Sequence, residues 1–480
     1  MTEAKHVPCT IVAIDQGTTS TRAVLVNENG DAKVIHSVKH QQQYPASGWV
    51  EHDATELLSN IKQCIAKAGK VDAVAIANQG ESCLAWDGET KMPLSPVIVW
   101  QDNRTHEAVC ELKERGGEAL TLARAGLPLD PYFSASKFRW LLDNNRDVKR
   151  AAENGTLRIG TTDAFFLDSL TGVFATDLTT ASRTSLFNIH TKQWDPELCE
   201  LFGVPVSLLP EVKSSAGNFG CLADGTPVNV SMVDQQASLY GHNCTDVGDT
   251  KITFGTGAFV LMSTGNATAV VGDDGLLSTI AWATKDQVNY AVEGGVYNAS
   301  SALEWVKQIG LFSDYSELAW FEKAPAIARH LAFVPALSGL AAPYWDRTAS
   351  GLWIGMESAT EREDMCQSVL EGVALRAAQV VAAMSDKYGA VHKVSIDGGL
   401  SRSPYFCQFL ADILQCKVVT WSFDELTAYG CAALSYQALT DRALQLNAQS
   451  YDYFPKIEKA LSLAWQEKFK QAVLRSQGWR

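Results

Sequence analysis

Along this chain, short apolar runs break off onto small and polar residues. In CTIVAIDQGTTSTRAVLVNENG, Ile11, Val12 and Ile14 lead into Asp15-Gln16-Gly17-Thr18-Thr19. Ala23 to Val26 then rebuild an apolar run before Asn29-Gly30. Branched apolar residues bounded by Gly, Thr and Asn read as a strand, a tight turn and a second strand. The plan returns in GDTKITFGTGAFVLMSTG, where Ile252 and Phe254 precede Gly255-Thr256-Gly257 and Phe259 to Met262 continue. A unit that recurs near mid-chain predicts two domains built on one plan, against the alternative of two unrelated hairpins. A third run, VDAVAIA, stops at Asn78-Gln79-Gly80-Glu81. It brings an amide, a glycine and a carboxylate to one strand end.

Helical spacing alternates with these strands. TEREDMCQSVLEGVALRAAQVVAAMSDKYG predicts a long helix opened by a capping box of Thr360 with Glu363 and closed near Gly389. SPYFCQFLADILQC predicts another, after the strand VHKVSIDGG. In PKIEKALSLAWQEKFKQAVLR, Ile457, Leu461, Trp465 and Phe469 stand four apart, as on a last helix docked against the core. Interleaved strands and helices imply an α/β architecture. With no low-complexity linker, the expected boundary falls near Gly241 to Gly248, giving domains 1–244 and 245–480.

Composition narrows the function without naming it. The 480 residues are 46% hydrophobic and 20% charged, an ordinary globular balance. The 40 basic and 54 acidic side chains leave a net charge of -14, which argues against nucleic acid or an anionic membrane as partner. A neutral small molecule suits it. The eleven cysteines form no CxxC pair and read as reduced thiols in a cytoplasmic protein. The nine histidines do not cluster with them, so zinc is not expected. The start, MTEAKHVPCTIVAID, lacks the apolar stretch of a signal peptide.

Neither G-x-x-x-x-G-K-[ST] nor G-x-G-x-x-G before a helix is present. What remains is three Gly-rich turns after strands: DQGTTS, FGTGAF and DGGLSRS. Glycine lets a backbone approach phosphate closely, and Thr hydroxyls and free N–H groups can donate to its oxygens. Asp15, at a strand end, would be a natural Mg²⁺ contact. Any one such turn is ordinarily a hairpin; three at strand ends suggest a nucleotide site.

At these residues the chain resembles the FGGY carbohydrate kinase family, closest to its glycerol kinase branch. The likeness runs through nearly the whole chain in family order. It includes AIDQGTTSTRAVL, YPASGWVEHDATELL, YFSASKFRWLLDN, TDLTTASRTSLFNIHTKQWD, VDQQASLYGH, FGTGAF, VPALSGLAAPYWD, GLWIGMESATEREDMCQSVLE and IDGGLSRSPYFCQFLADIL. The resemblance implies two ribonuclease-H-like domains of the actin, Hsp70 and hexokinase type around a cleft. It implies ATP and Mg²⁺ as cofactors, and a small polyol or sugar as acceptor. The reaction closest to hand is glycerol to glycerol 3-phosphate. Self-association as a dimer or tetramer is implied by analogy alone.

The resemblance also implies roles. Asp234 would be the catalytic base and Asp15 the metal contact. Thr18, Thr19 and Ser20 would hold phosphate in one domain, and Thr256 and Gly257 in the other. Gly399, Leu400 and Ser403 would hold adenine and ribose, with Ser403 replacing the Asn of close glycerol kinases. Gly80, Glu81, Trp100, Tyr132, Asp234, Gln235 and Phe259 would line the substrate pocket.

One residue departs from the pattern. The glycerol kinase branch has N-Q-R-E-T where this chain has Asn78-Gln79-Gly80-Glu81-Ser82. Losing that arginine would remove charge-assisted donors and open a void for water, another side chain or a longer substrate. Erythritol, threitol, ribitol, ribulose or xylulose then compete with glycerol, unless an arginine from elsewhere fills the gap. Alternatively Gly80 is there only to adopt a positive φ. An ATP-driven machine like actin or Hsp70, or a non-catalytic sugar sensor, would lack the Trp100, Tyr132 and Asp234 pocket, or Asp15 or Asp234 itself.

Overall fold

The structure is a computed structural model that describes residues 9–268 and 275–480. Residues 1–8, which carry most of the segment compared above with a signal peptide, lie outside them. Each half is built on a mixed sheet. In the first, β1 (Thr10–Gln16), β2 (Ser20–Asn27), β3 (Ala32–Lys39), β4 (Ala73–Asn78) and β5 (Val228–Val233) lie in the order β5-β4-β1-β2-β3. β1 to β3 form an antiparallel meander, and β4 and β5 add in parallel.

The second sheet holds β6 (Thr250–Phe254), β7 (Ala258–Gly265), β8 (Leu277–Ala283), β9 (Val288–Val296), β10 (Lys393–Gly398), β11 (Lys417–Trp421) and β12 (Ser450–Tyr453). Their order is β8-β9-β7-β6-β10-β11-β12. Within it, β9-β7-β6 is an antiparallel meander, with β10 and β11 parallel to β6. Both halves therefore repeat one plan, opened by the two strand–turn–strand units. The central strands are almost wholly apolar because helices cover both their faces.

Six helices matter most for the site: α1 (Asp234–Gly241), α2 (Ser300–Gln308), α3 (Arg362–Tyr388), α4 (Pro404–Leu414), α5 (Leu426–Thr440) and α6 (Lys459–Ser476). α1 and α5 cross at the junction of the halves. α5 lies in sequence between β11 and β12 of the second sheet, yet packs on β1, β4 and β5 of the first. One apolar cluster joins Ala13, Ala75 and Met232 of the first sheet, Tyr429 and Ala432 of α5, and Leu261 and Ala291 of the second sheet. The helices meet backbone to backbone. A methyl on Gly241 would lie 2.0 Å from the Leu426 carbonyl oxygen, and one on Gly430 1.9 Å from that of Ala237.

Two sequence expectations need correction. The capping box of α3 uses Glu361 and Asp364: the Glu361 N–H donates to Asp364 Oδ2 at 2.9 Å. Thr360 is occupied one turn earlier, its hydroxyl accepting from the Glu357 N–H at 2.8 Å. On α6, Trp465 and Phe469 are buried as expected, but Leu461 is 44% exposed and Ile457 precedes the helix. A spacing of four drifts by about 40° per step around a 3.6-residue helix. The buried stripe is Ser462, Trp465, Phe469, Ala472 and Val473. α3, the one described helix long and apolar enough to cross a membrane, is mostly buried in the core of the second half.

Candidate active site

The segments that follow β1, β4 and β5 in the first half face Phe259 of β7 and Glu293 of β9 in the second. A small cavity of about 90 Å³ lies between the halves. All seven residues expected at the substrate line it: Gly80, Glu81, Trp100, Tyr132, Asp234, Gln235 and Phe259. Thr18 reaches it too, its hydroxyl accepting from Trp100 Nε1 at 3.2 Å. The Trp100 and Tyr132 rings meet edge to face at 5.6 Å. Buried Lys137 sits behind them and donates to the carbonyls of Tyr132 at 2.8 Å and Trp100 at 3.4 Å. It ties the two aromatic segments together.

Asp234 opens α1 directly after β5, so an apolar strand delivers a carboxyl to the cavity. Burial pushes its pKa up to about 7, and the charges of Asp15 and Glu81 add to the effect. Asp15, on β1, is likewise pushed up to about 7 by burial and Glu425, against the pull of Arg22. Two half-buried carboxyls, with Asp15 raising the pKa of Asp234, form a site that a cation would relieve. Mg²⁺ takes one or two carboxylates together with substrate phosphates, rather than an all-protein cage. The described residues contain no cluster of three or more His, Cys, Asp or Glu that could hold a metal ion by itself. Gln235 is steered by Lys251, whose ammonium donates to its Oε1 at 3.1 Å.

The void expected beside Gly80 is not open. A Cβ there would stand 3.1 Å from Val233 Cγ1. The positive φ belongs to its neighbour Glu81, at 59°. An arginine from elsewhere does occupy the pocket. Arg183 Nε donates to Glu81 Oε1 at 2.5 Å, and its NH1 lies 2.9 Å from Glu293 Oε2. Its guanidinium also faces the Tyr132 and Phe133 rings, 5.8 and 5.4 Å from their centroids. Burial opposes the Arg183 charge, but Glu293 and Glu81 outweigh it and hold its pKa above the usual value. Glu81 is itself raised, burial outweighing the pull of Arg183.

Neither Arg183 nor Glu293 had been assigned a role from the sequence. The signal for Glu293 was present: a carboxylate inside the apolar strand VNYAVEGGV needs a buried partner. Arg183 lies in a run of small hydroxyl residues with no charge pattern around it. Buried Asp177 holds that run across the end of β4, accepting from the N–H groups of Thr179 and Thr180 at 2.9 Å each.

A second depression, about 500 Å³, lies in the other half. Gly399, Leu400 and Ser403 line it as expected, joined by Leu303, Leu318 and Leu370. That volume and apolar wall suit a base and ribose. Ser403 caps α4 by accepting from the Phe406 N–H at 3.2 Å, and donates to the Leu318 carbonyl at 3.1 Å. Its hydroxyl is thus engaged within the protein. Of the phosphate-turn residues, Thr19 and Thr256 are exposed, Gly257 is half-buried, and Ser20 is buried at the head of β2. Ser20 closes the turn through its carbonyl, which accepts from the Gly17 N–H at 3.1 Å.

The glycines of the three turns divide into two kinds. A Cβ on Gly257 or Gly398 would strike backbone oxygens of Val296 at 2.5 Å and Phe254 at 2.1 Å, so these two serve the fold. A Cβ on Gly17, Gly255 or Gly399 would meet nothing closer than 3.6 Å. One glycine per turn therefore faces free space where a phosphorylated ligand can approach the backbone.

Comparison with known proteins agrees with this geometry. The model of the N-terminal domain of the FGGY family of carbohydrate kinases matches residues 10–241, and that of its C-terminal domain residues 250–439. The glycerol kinase of Parabacteroides distasonis is 38% identical, over 98% of this chain and 98% of that protein. That of Thermus brockianus is 39% identical, over 98% and 99%. The crystal structure of Plasmodium falciparum glycerol kinase with ADP superposes with a TM-score of 0.90 at 30% identity, covering 97% of this chain and 98% of that one. A ligand-bound xylulose kinase from Lactobacillus acidophilus shares the fold, at a TM-score of 0.85 and 23% identity over 98% and 99% of the two chains.

Proposed function

Since the chain belongs to the FGGY family of carbohydrate kinases, and is an ATP-dependent kinase, we propose that its acceptor is glycerol and its product glycerol 3-phosphate. The observation that carries this reading is the small cavity in which buried Arg183 bridges Glu81 and Glu293. At about 90 Å³ it suits a three-carbon chain. It offers one carboxylate–guanidinium pair to hydroxyls and aromatic rings to the carbons.

In this reading the Asp234 carboxylate takes the proton of the reacting hydroxyl. That oxygen bonds to the γ-phosphorus as the bond to the β–γ bridging oxygen breaks, and ADP leaves with the electron pair. Asp15 would hold Mg²⁺, which supplies neutralisation of phosphate charge when bound. Thr18, Thr19, Thr256 and Gly257 line the phosphate path. Glu81 and Arg183 fix the remaining hydroxyls, and Trp100, Tyr132 and Phe259 enclose the carbon chain. Closure of the halves around both substrates keeps water from the phosphoryl group.

ADP release with Mg-ATP tests the substrate across glycerol, dihydroxyacetone, erythritol, both threitols, ribitol, xylitol, ribulose and xylulose. Glycerol is expected to lead in kcat/KM by ~100-fold, about 2.7 kcal/mol of transition-state preference. A higher kcat/KM for any four- or five-carbon compound would overturn the assignment and make Gly80 the mark of a longer substrate.

A further inference from the structure

A third cavity lies away from the substrate pocket. It measures about 510 Å³ and is reached by elements that also build the active site. α1 begins with Asp234, Gln235 and Gln236 in the substrate pocket and ends with Tyr240 and Gly241 in this cavity. β9 places Glu293 in the substrate pocket and Asn289, four residues earlier, here. An even spacing puts both on one face of the strand.

The lining has a consistent chemistry. Four aromatic side chains contribute: Tyr240, Trp282, Trp421 and Tyr429. They are held in place. Tyr240 meets Trp282 edge to face at 5.3 Å and donates its hydroxyl to Gln437 Oε1. Trp421 Nε1 donates to Ser395 Oγ at 3.2 Å, and the Tyr429 hydroxyl to the Leu444 carbonyl at 3.1 Å. Between the rings stand five carboxamides, Asn243, Gln287, Asn289, Gln437 and Gln445. Each offers both donor and acceptor. Among the described residues, no Lys, Arg or His lines the cavity, and the one carboxylate there is Asp246.

Flat apolar faces alternating with carboxamides match a molecule with C–H faces and many hydroxyls. The missing cation and the Asp246 charge disfavour a phosphorylated one. The volume exceeds that of the substrate pocket severalfold. We propose that this cavity is a second, non-catalytic binding site for a neutral polyhydroxylated compound of hexose size or larger. Because α1 and β9 each contribute residues to both cavities, occupancy alters substrate binding and, by linkage, substrate alters occupancy. The site rests on its own lining; only its effect on turnover rests on the kinase reading.

Calorimetry on the full chain tests it, with saturating glycerol present so that the substrate pocket is filled. The probes are glucose, maltose, sorbitol and glucose 6-phosphate. At least one neutral probe is expected to bind one-to-one, with glucose 6-phosphate weaker than glucose by about tenfold or more. The Gln287→Ala/Gln445→Ala double variant, altered at two exposed positions of the cavity rim, should weaken that probe by about tenfold, as expected for lost hydrogen bonds, with its Tm nearly unchanged. The effective probe should shift KM for glycerol in the wild type and not in the double variant. Four results overturn the site: no neutral probe binding at tens of millimolar, binding abolished by glycerol, tighter binding of glucose 6-phosphate, or an unaffected double variant. Binding with no change in KM or kcat would remove the coupling. Absent turnover on glycerol would sink the substrate assignment and leave the binding result standing.

Discussion

Asp234 sits in an environment that resists its charge. Its pKa of about 7 lies well above the ordinary carboxylate value of 3.8, so charging it costs the folded protein stability as pH rises from about 4 to about 7. Asp234→Asn should therefore raise Tm relative to the wild type at pH 8, less so at pH 5 and not at all below about pH 4, while lowering kcat by roughly 10²–10⁴. Turnover within a few-fold of wild type would remove Asp234 as the base. The same shift sets the pH profile: kcat/KM should fall as pH drops through about 7, since protonated Asp234 cannot accept the hydroxyl proton. Arg183 carries the opposite risk. Arg183→Leu leaves Glu81 and Glu293 buried against each other, and about 3–5 kcal/mol of stability should be lost in urea denaturation. Arg183→Lys keeps the charge but not the fork, so it should recover stability in part while KM for glycerol stays high. Gly80→Ala presses on Val233, the residue just before Asp234, and should lower kcat by several-fold, about 1 kcal/mol. At this scale the sequence was informative where motif order carried a residue to its place. Every expected pocket residue lines one cavity. It was silent on Arg183, because Glu81 and Glu293 lie far away along the chain and only the fold brings them to it.

Elements were legible where their period was clean. The two strand–turn–strand units and the β10–turn–α4 unit stand where Ile, Val and Gly spacing places them. Ends and faces were harder. Thr360 and Glu361 both offered a cap, and a hydrogen bond to Glu357 decided between them. Leu461 fits a spacing of four yet faces solvent, because a straight helix does not keep that spacing. The crossing of α1 and α5 had no sequence signal beyond two glycines. It makes a strong prediction: Gly430→Ala puts a methyl 1.9 Å from the Ala237 carbonyl, and backbone there cannot retreat as a side chain would. Thermal unfolding should show a loss of about 1–3 kcal/mol or more.

For the whole molecule, the division of labour between halves matters most. The substrate pocket takes Phe259 and Glu293 from the second half and its remaining walls from the first. The nucleotide depression belongs to the second half alone. Glycerol and a non-hydrolysable ATP analogue should therefore bind synergistically, each tightening the other by the same factor in calorimetry, of the order of five or more. Equal affinities with and without the partner would mean that the halves do not close on their ligands together.

The placement of α5 has a consequence for how the protein is made. The sheet that carries Asp15 is complete in sequence at Val233, yet one of its faces is covered by a helix that begins at Leu426. A nascent chain emerging from the ribosome must hold that apolar face uncovered while the intervening residues are added, at about 5–20 residues per second, a delay of order ten seconds or more. The first half cannot finish folding as translation passes it. Its last wall arrives late, and a chain cut short before residue 426 is a substrate for chaperones and proteases rather than half an enzyme.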